Sequence, residues 1–329
     1  MLHFVHRSPL VQLLSVYLLF VVVVLLGGVG VNAVGEQLLR NDAQASDQAL
    51  AQEIAVETSL HLLDAENSLV ALSKLVAQAN TPVAMESILQ AFLAARSDVD
   101  HIYLLDPLGD IRVSCPPLPG KCQDRLVAEF SPPDVIQRAI APQPHPHPVF
   151  EVGAVVEPTF NAGVIIAEPV HDSDGKLAGI IATNFSLVEL SDPLEAVVQA
   201  QQRQGRRLMI SIIDDQRVLI ATPDQKRILQ MVLDKLPGAD QALHGQVASR
   251  QGLGPDGRDW LFSAVPVPDA SWAVVVQRPA DEALAVVTQF HLWLLTAALL
   301  FSLGSLLFWL MLLVRVIRPL HVTSSLQTF

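Results

Sequence analysis

Two long stretches without a charged side chain limit what this chain can fold into. From Ser8 to Gly35, 28 residues carry no Asp, Glu, Lys or Arg; from Ala283 to Val314 there is none either, the titratable His291 apart. At about 1.5 Å of rise per residue, roughly 20 helical residues cross the hydrocarbon core of a bilayer, so each stretch is long enough to span it. The expected transmembrane helices lie near residues 10–32 and 290–314. Trp293 and Trp309 are 16 residues apart, about 24 Å along a helix. That is close to the separation of the two interfacial belts in which Trp collects. A content of 51% hydrophobic residues agrees with membrane helices.

The charges give a direction. Arg7 precedes the first span, and Arg315 and Arg318 follow the second. All 33 Asp and Glu fall within residues 36–282, with 18 of the 21 Lys and Arg, a net of −15 for that segment. The positive-inside rule therefore places residues 1–9 and 315–329 in the cytoplasm and the acidic middle outside it. The expectation is a multi-pass protein of the inner or plasma membrane with both termini cytoplasmic. The lipid bilayer is then an expected partner, and the acidic balance argues against nucleic acid. Val31-Asn32-Ala33 also reads as a signal-peptidase site, but the apolar stretch before it exceeds the usual 7–15 residues. An uncleaved anchor is the favoured reading, a cleaved signal the alternative. Cys115 and Cys122 both lie outside, separated by a segment containing Pro116, Pro117, Pro119 and Gly120. In an oxidising compartment a disulfide closing this loop is favoured over two free thiols.

Between the spans, residues 36–79 read as one helix. There is no Pro or Gly between Gly35 and Pro82, and such a helix needs a partner or a domain flank to pack on. Thr81-Pro82 restarts a shorter helix with Pro at its first position. From His101 the pattern turns to strands: 101–105 and 111–114 around the turn Asp106-Pro-Leu-Gly109, then 149–156, 163–170 and 177–184. A short helix is expected near 133–140. Ser186-Leu-Val-Glu189 reads as a capping box that opens a helix to about Gln202. The scheme then repeats, with strands 207–213 and 217–221, a helix around 224–235, and strands near 244–250, 258–267 and 272–277. Pro279 opens a last helix that runs into the second span without a break. Alternating strands with tight turns imply antiparallel sheets. The expected fold class is α+β: a long N-terminal helix and two tandem antiparallel-sheet modules, flanked by two transmembrane helices.

In this order, between two spans, the motifs resemble the double Cache family, the tandem PAS-like sensor domains of bacterial transmembrane receptors. The resemblance covers about residues 36–286. In the distal module, about 80–186, it rests on Tyr103-Leu-Leu-Asp-Pro-Leu-Gly-Asp-Ile-Arg-Val-Ser114, on Pro169-Val-His-Asp-Ser-Asp-Gly-Lys-Leu-Ala-Gly-Ile-Ile181 and on Asn184-Phe-Ser-Leu187. In the proximal module, about 205–278, it rests on Ser211-Ile-Ile-Asp-Asp-Gln-Arg-Val-Leu219, Phe262-Ser-Ala-Val-Pro-Val-Pro268 and Trp272-Ala-Val-Val-Val276. Arg318-Pro319-Leu320 resembles the start of a HAMP linker, with Thr323 where the family has a second apolar residue. The sequence thus reads as a receptor cut short in that linker, a genuinely short protein being the alternative.

The resemblance implies a small ligand in the distal module, against the sheet. Amino-acid-binding members hold the ligand ammonium with an Asp where this chain has Asn184, and their upstream Arg and Trp-Tyr pair is not evident between Lys121 and Val149. Without the carboxylate the charge for an ammonium is gone, which argues against an α-amino acid. The candidate ligand-binding residues are Tyr103, Arg112, Phe150, Glu168 and Asn184; for each, sheet packing or surface exposure is the competing reading. A homodimer packed through helix 36–79 is also implied.

No catalytic motif is legible: there is no His-Glu-x-x-His, no Gly-x-Ser-x-Gly and no phosphate-binding loop. Asp172-Ser-Asp-Gly175 begins like an EF-hand loop but has Leu177 and Thr183 where Gly and Glu are required, so it reads as a hairpin turn. Pro144-His-Pro-His-Pro148 reads as an exposed loop, and no metal or cofactor is expected. The function expected is that of a sensor which binds a small ligand outside and relays a displacement through the second span to a cytoplasmic output. Two alternatives remain: the input segment of a sensory histidine kinase or diguanylate cyclase, and a tethered binding or scaffold module without output.

Overall fold

A buried stripe on one helix organises the molecule. The computed structural model describes residues 9–79, 81–115, 122–124, 149–153, 162–232, 236–283 and 285–312. Helix α1 (Pro9–Ala77) is unbroken, as the lack of Pro and Gly after Gly35 predicts. The chain divides into two units, Gln44–Pro279 and the terminal segments. In the first unit α1 buries Asp47, Ala51, Ile54, Thr58, Ala65, Leu69, Leu72 and Val76. These recur every three or four residues, the spacing that keeps one face of a helix in line. Small side chains at Ala51, Ala55 and Ala65 let neighbouring elements approach closely. Leu69 and Leu72 are essentially fully buried, and such a side chain contributes roughly 1.5–3 kcal/mol of transfer free energy.

Two antiparallel sheets lean on this stripe. Helix α2 (Pro82–Ala95) comes first; Pro82 is at its start and the Thr81 hydroxyl accepts from the Ala84 N–H at 3.2 Å. The distal sheet contains β1 (Val99–Leu105), β2 (Ile111–Cys115), β3 (Gln123–Asp124), β4 (Val149–Gly153), β5 (Gly163–His171) and β6 (Leu177–Ser186), in the order β3-β2-β1-β6-β5-β4. Cys115 and Cys122 are disulfide-bonded. Helix α3 (Leu187–Arg203) leads to the proximal sheet: β7 (Met209–Ile213), β8 (Leu219–Ala221), β9 (Ala248–Leu253), β10 (Asp259–Pro266) and β11 (Ala273–Pro279), ordered β8-β7-β11-β10-β9. Val164, Ile166, Ile181 and Phe185 of the distal sheet and Ile210, Ile212, Val274 and Val276 of the proximal sheet join the α1 stripe in one apolar core. The inner face of each sheet is thereby assigned, and each outer face carries its own smaller cluster.

Three hairpins repeat one device. Asp106, Asp172 and Asp214 each accept two backbone N–H groups of their own turn. Each hairpin slips by one residue shortly after the turn. Leu105 pairs with Ile111 but Leu104 with Val113; His171 pairs with Leu177 but Val170 with Gly179; Ile213 pairs with Leu219 but Ile212 with Ala221. The extra residues, Arg112, Ala178 and Ile220, are β-bulges. Gly109 and Gly175 take the positive φ that the first two turns require, and Arg217, φ 62°, takes it in the third.

Several expectations need correction. In place of the helix expected around 224–235, residues 224–232 hold only a 3₁₀ turn, and 233–235 lie outside the described residues. After the short 3₁₀ turn Gln225–Arg227, the chain runs back along β8: Leu229 N–H donates to Leu219, and Val232 N–H to Arg217. The apolar run Ile228–Leu233 suits either state by pattern, and the bonding needs of a three-residue edge strand decide it. Strand β9 begins at Ala248, after a helical turn α4 (Ala239–Leu243) that its sequence did not suggest. Ser186 makes no side-chain cap; it is still the last residue of β6, its N–H donating to the Asp98 carbonyl. Pro279 closes β11, and the helices α5 (Ala280–Ala283) and α6 (Ala285–Leu312) follow it. Leu284, where they would join, and the expected helix near 133–140 lie outside the described residues. Among the described residues no helix is long and apolar enough to cross a membrane; residues 9–34 are described at the backbone alone, Leu19 excepted, and the side chains of α6 only from Trp293.

One ion pair is buried in the shared core. Arg278 of β11 donates to the Asp47 carboxylate on α1, both being nearly inaccessible. The second Asp47 oxygen and Arg278 Nε find no partner among the described residues. Breaking such a pair from one side leaves an uncompensated charge. Asp47→Leu alone is expected to lose about 3–5 kcal/mol in urea unfolding, and the double variant Asp47→Leu with Arg278→Met to recover most of it. Burial pushes the Asp47 carboxyl from its ordinary 3.8 up to about 6, against the pull of Arg278 and, at longer range, Arg206. Between those two values the folded chain holds a proton that the unfolded chain has released. The Asp47 contribution to stability is therefore greatest below the lower value and falls as pH rises towards 6. Asp47→Asn is expected to flatten that slope in denaturant titrations across the window.

Candidate functional site

Strand parity places the polar residues of the distal sheet. Ile180, Ala182 and Asn184 of β6 face outward, because Ile181 and Phe185 face the α1 core. In register with them, His101 lies opposite Asn184 and Tyr103 opposite Ala182 on β1, and Ile165 lies opposite Asn184 on β5. Asn184, flanked by His101 and Ile165, is thus at the centre of a row across three strands. The His101 and Tyr103 rings stack, centroids 5.8 Å apart and planes 13° from parallel. All three polar side chains are more than nine-tenths buried.

Asn184 is the unusual member. It is fully buried, and neither its amide oxygen nor its amide nitrogen has a hydrogen-bond partner among the described residues. A buried polar group left in that state costs about 1–3 kcal/mol, and native structures hold few of them. Gly163 makes room for it: a Cβ there would lie 1.8 Å from Asn184 Oδ1. The amide offers two donors and an acceptor and carries no charge.

Tyr103 and Asn184 are thus brought onto one face, and the other three expected residues are not shown there. Arg112 is the bulged residue of the β1–β2 hairpin; it is largely exposed and bonds Asp106 at 2.6 and 3.1 Å. Asp106 is held below the usual carboxylate range, first by the Asp110 N–H and also by Arg112. Glu168 pairs with Ile181 and so faces inward, towards α1. Burial raises its pKa and nearby Glu66 adds to this, with Lys74 opposing. Phe150 pairs with Ile166 in the β4–β5 register, and its side chain lies outside the described residues. Sequence reasoning missed His101, although its two-residue spacing from Tyr103 signals a shared strand face.

It also missed Arg96. This side chain chelates Asp98 with bonds of 2.8 and 2.6 Å, reaches Asp64 at 2.5 Å and lies over the Phe185 ring. The Asp98 bond, chiefly, raises its pKa further. Arg96 borders a cavity of about 440 Å³ that Trp272 also lines, but both carboxylates are already satisfied by its guanidinium. The described residues contain no cluster of His, Cys, Asp or Glu able to hold a metal.

The family model of the Cache domain matches residues 32–287. The chain belongs to the Cache domain family. Its fold is shared by the extracellular domain of mmHK1S-Z2, a protein assigned as a histidine kinase, at 15% identity and TM-score 0.57, covering 75% of this chain and 99% of that one. It is shared by the ligand-binding domain of the Pseudomonas fluorescens chemoreceptor CtaA, solved with L-isoleucine, at 14% identity and TM-score 0.56, covering 77% and 98%. The periplasmic sensory domain of the Campylobacter jejuni chemoreceptor Tlp1 follows at 14% and 0.54, covering 74% and 98%. No curated protein matches this Cache chain in sequence.

The Gly163–Asn184 contact can be tested. Gly163→Ala overfills the site and is expected to destabilise the fold by about 1–3 kcal/mol. Adding Asn184→Ala should restore most of that loss, read by urea unfolding of the single and double variants.

Proposed function

We propose that this chain is the input part of a transmembrane receptor, whose Cache region binds a small organic ligand on the outer face of the distal sheet. The observation that carries this reading is the Asn184 amide, buried beside His101 and Tyr103 with no hydrogen-bond partner among the described residues. A ligand supplying an acceptor and a donor would satisfy it and gain the desolvation cost already spent in folding. The fold-sharing domain of CtaA was solved with L-isoleucine and that of the Campylobacter jejuni chemoreceptor Tlp3 with L-valine, which supports a ligand of that size. An uncharged amide lacks the attraction for an ammonium that a carboxylate has, so the ligand class favoured here is an organic acid or amide.

The relay belongs to the same proposal. Two membrane helices near 10–32 and 290–314 are supported by the charge-free runs and by the confinement of every acidic residue to 36–282. Along α6 the apolar side chains Leu299, Phe301, Leu303 and Phe308 are exposed on all sides, as suits a helix surrounded by lipid. Both termini are then cytoplasmic, and Arg318-Pro-Leu320, outside the described residues, would begin a HAMP linker. Exposed Val56, Leu60 and Leu63 on α1, spaced four and three apart, support a parallel helix pair in a homodimer. The output would come from a signalling partner or effector and not from catalysis in this chain.

The test is a thermal-shift screen of the full chain in detergent against organic acids, amides, amines and amino acids. A compound at a hundred times its Kd should add about 2.7 kcal/mol of stability. Asn184→Ala should remove that shift, and Asn184→Asp should move the preference towards amines and amino acids. A compound that stabilises the native chain and Asn184→Ala equally would show that the outer distal face is not its site.

A further inference from the structure

The proximal sheet has an outer face of its own, and a cavity of about 260 Å³ opens on it. Register builds its floor. Met209, Gln277 and Phe262 stand in one row across β7, β11 and β10, and Ser211 lies one step along, opposite Val275. Gln277 is 4% exposed and Ser211 8%. Neither side chain makes a hydrogen bond among the described residues, and both line the cavity. Arg227, at the end of the 3₁₀ turn, reaches the same cavity, is exposed, and makes no ion pair among the described residues. Leu219 and Phe262 supply apolar wall. No Asp or Glu is among the described lining residues.

We infer that this cavity is a second ligand site, for a short aliphatic monocarboxylate. Arg227 is the one charged side chain among the described lining residues, and a guanidinium selects an anion. The Ser211 hydroxyl and Gln277 amide are donors on largely buried residues that make no side-chain hydrogen bond among the described residues, and a carboxylate would give them an acceptor. The apolar wall accommodates an alkyl chain, and the volume lies just below the roughly 300–1,000 Å³ of ligand pockets in general, which limits the chain to a few carbons. The site shares no residue with the distal face, so it stands whether or not Asn184 binds anything.

The experiment is calorimetric titration of the full chain in detergent with propionate, butyrate, hexanoate, butylamine and inorganic phosphate. One or more of the carboxylates should bind, and butylamine and phosphate should not. Arg227→Ala, a change at an exposed position, should weaken that binding at least about tenfold, as expected for losing charge-assisted hydrogen bonds. Ser211→Ala and Gln277→Leu should each weaken it as well, and Ser211→Ala serves where Gln277→Leu does not fold. Absence of carboxylate binding at millimolar concentration would overturn the assignment, as would binding unchanged in Arg227→Ala. Binding that falls with Asn184→Ala but not with Arg227→Ala would place the carboxylate on the distal face and overturn it equally.

Discussion

The fold depends on one face of α1 serving two sheets. The stripe from Asp47 to Val76 is the surface on which both inner sheet faces close, and the distal and proximal strands meet there in a single apolar core. Strand geometry then dictates the rest. Side chains alternate between faces, so away from the bulges a residue adjacent to an inward Val or Ile is turned outward. The inner faces must be apolar because they meet a helix. The outer faces are released from that demand, and there the chain places buried groups that can recognise something: Asn184 and His101 on one sheet, Gln277 and Ser211 on the other.

Such groups are costly to a marginally stable fold. A domain's net stability is about 5–15 kcal/mol, and an amide with both ends unpartnered consumes an appreciable part of it. The Asn184 site also constrains its neighbours, since Gly163 has to lack a side chain. Packing alone would favour an apolar residue at Asn184, as it does at Ile180 and Ala182 along the same strand face. The position is better understood as a surface left incomplete for a partner, the usual origin of local rules that a fold breaks.

Much of the fold was legible in the sequence because it rests on local rules. The absence of Pro and Gly after Gly35 announced α1, Thr81-Pro82 announced α2, and the Asp turns announced the hairpins. The site was legible only in part, and the cause is register. A β-bulge shifts pairing by one residue and exchanges the faces beyond it. Had the β5–β6 hairpin closed without its bulge at Ala178, Glu168 would have stood opposite Ile180 on the outer face; with the bulge it meets Ile181 and turns inward. Arg112 is itself the bulged residue of its hairpin. Turn chemistry is visible in Asp106-Pro-Leu-Gly109 and Asp172-Ser-Asp-Gly175, but the slip that follows each turn leaves no mark in the residue pattern. The helix expected around 224–235 departs for a related reason: the pattern over 228–232 fits helix and strand alike, and the bonding needs of β8, a non-local matter, decided between them.

The same alternation joins the proximal cavity to the helix. Gln277 and Arg278 are consecutive on β11 and point to opposite faces, Gln277 into the outer cavity and Arg278 to Asp47 on α1. Differential contact is what coupling requires: a ligand shifts an equilibrium only by the difference in its affinity for the two states. Here the residue that lines the cavity and the residue that bonds the helix are neighbours on a single strand, paired with β7 as far as Gln277 and with β10 through Pro279. Opening the Asp47–Arg278 pair would leave two uncompensated buried charges, which fixes β11 on α1 at that point. A sheet that merely packed on α1 through Val and Ile would slide by small increments, whereas one pinned through Arg278 has a defined position to leave.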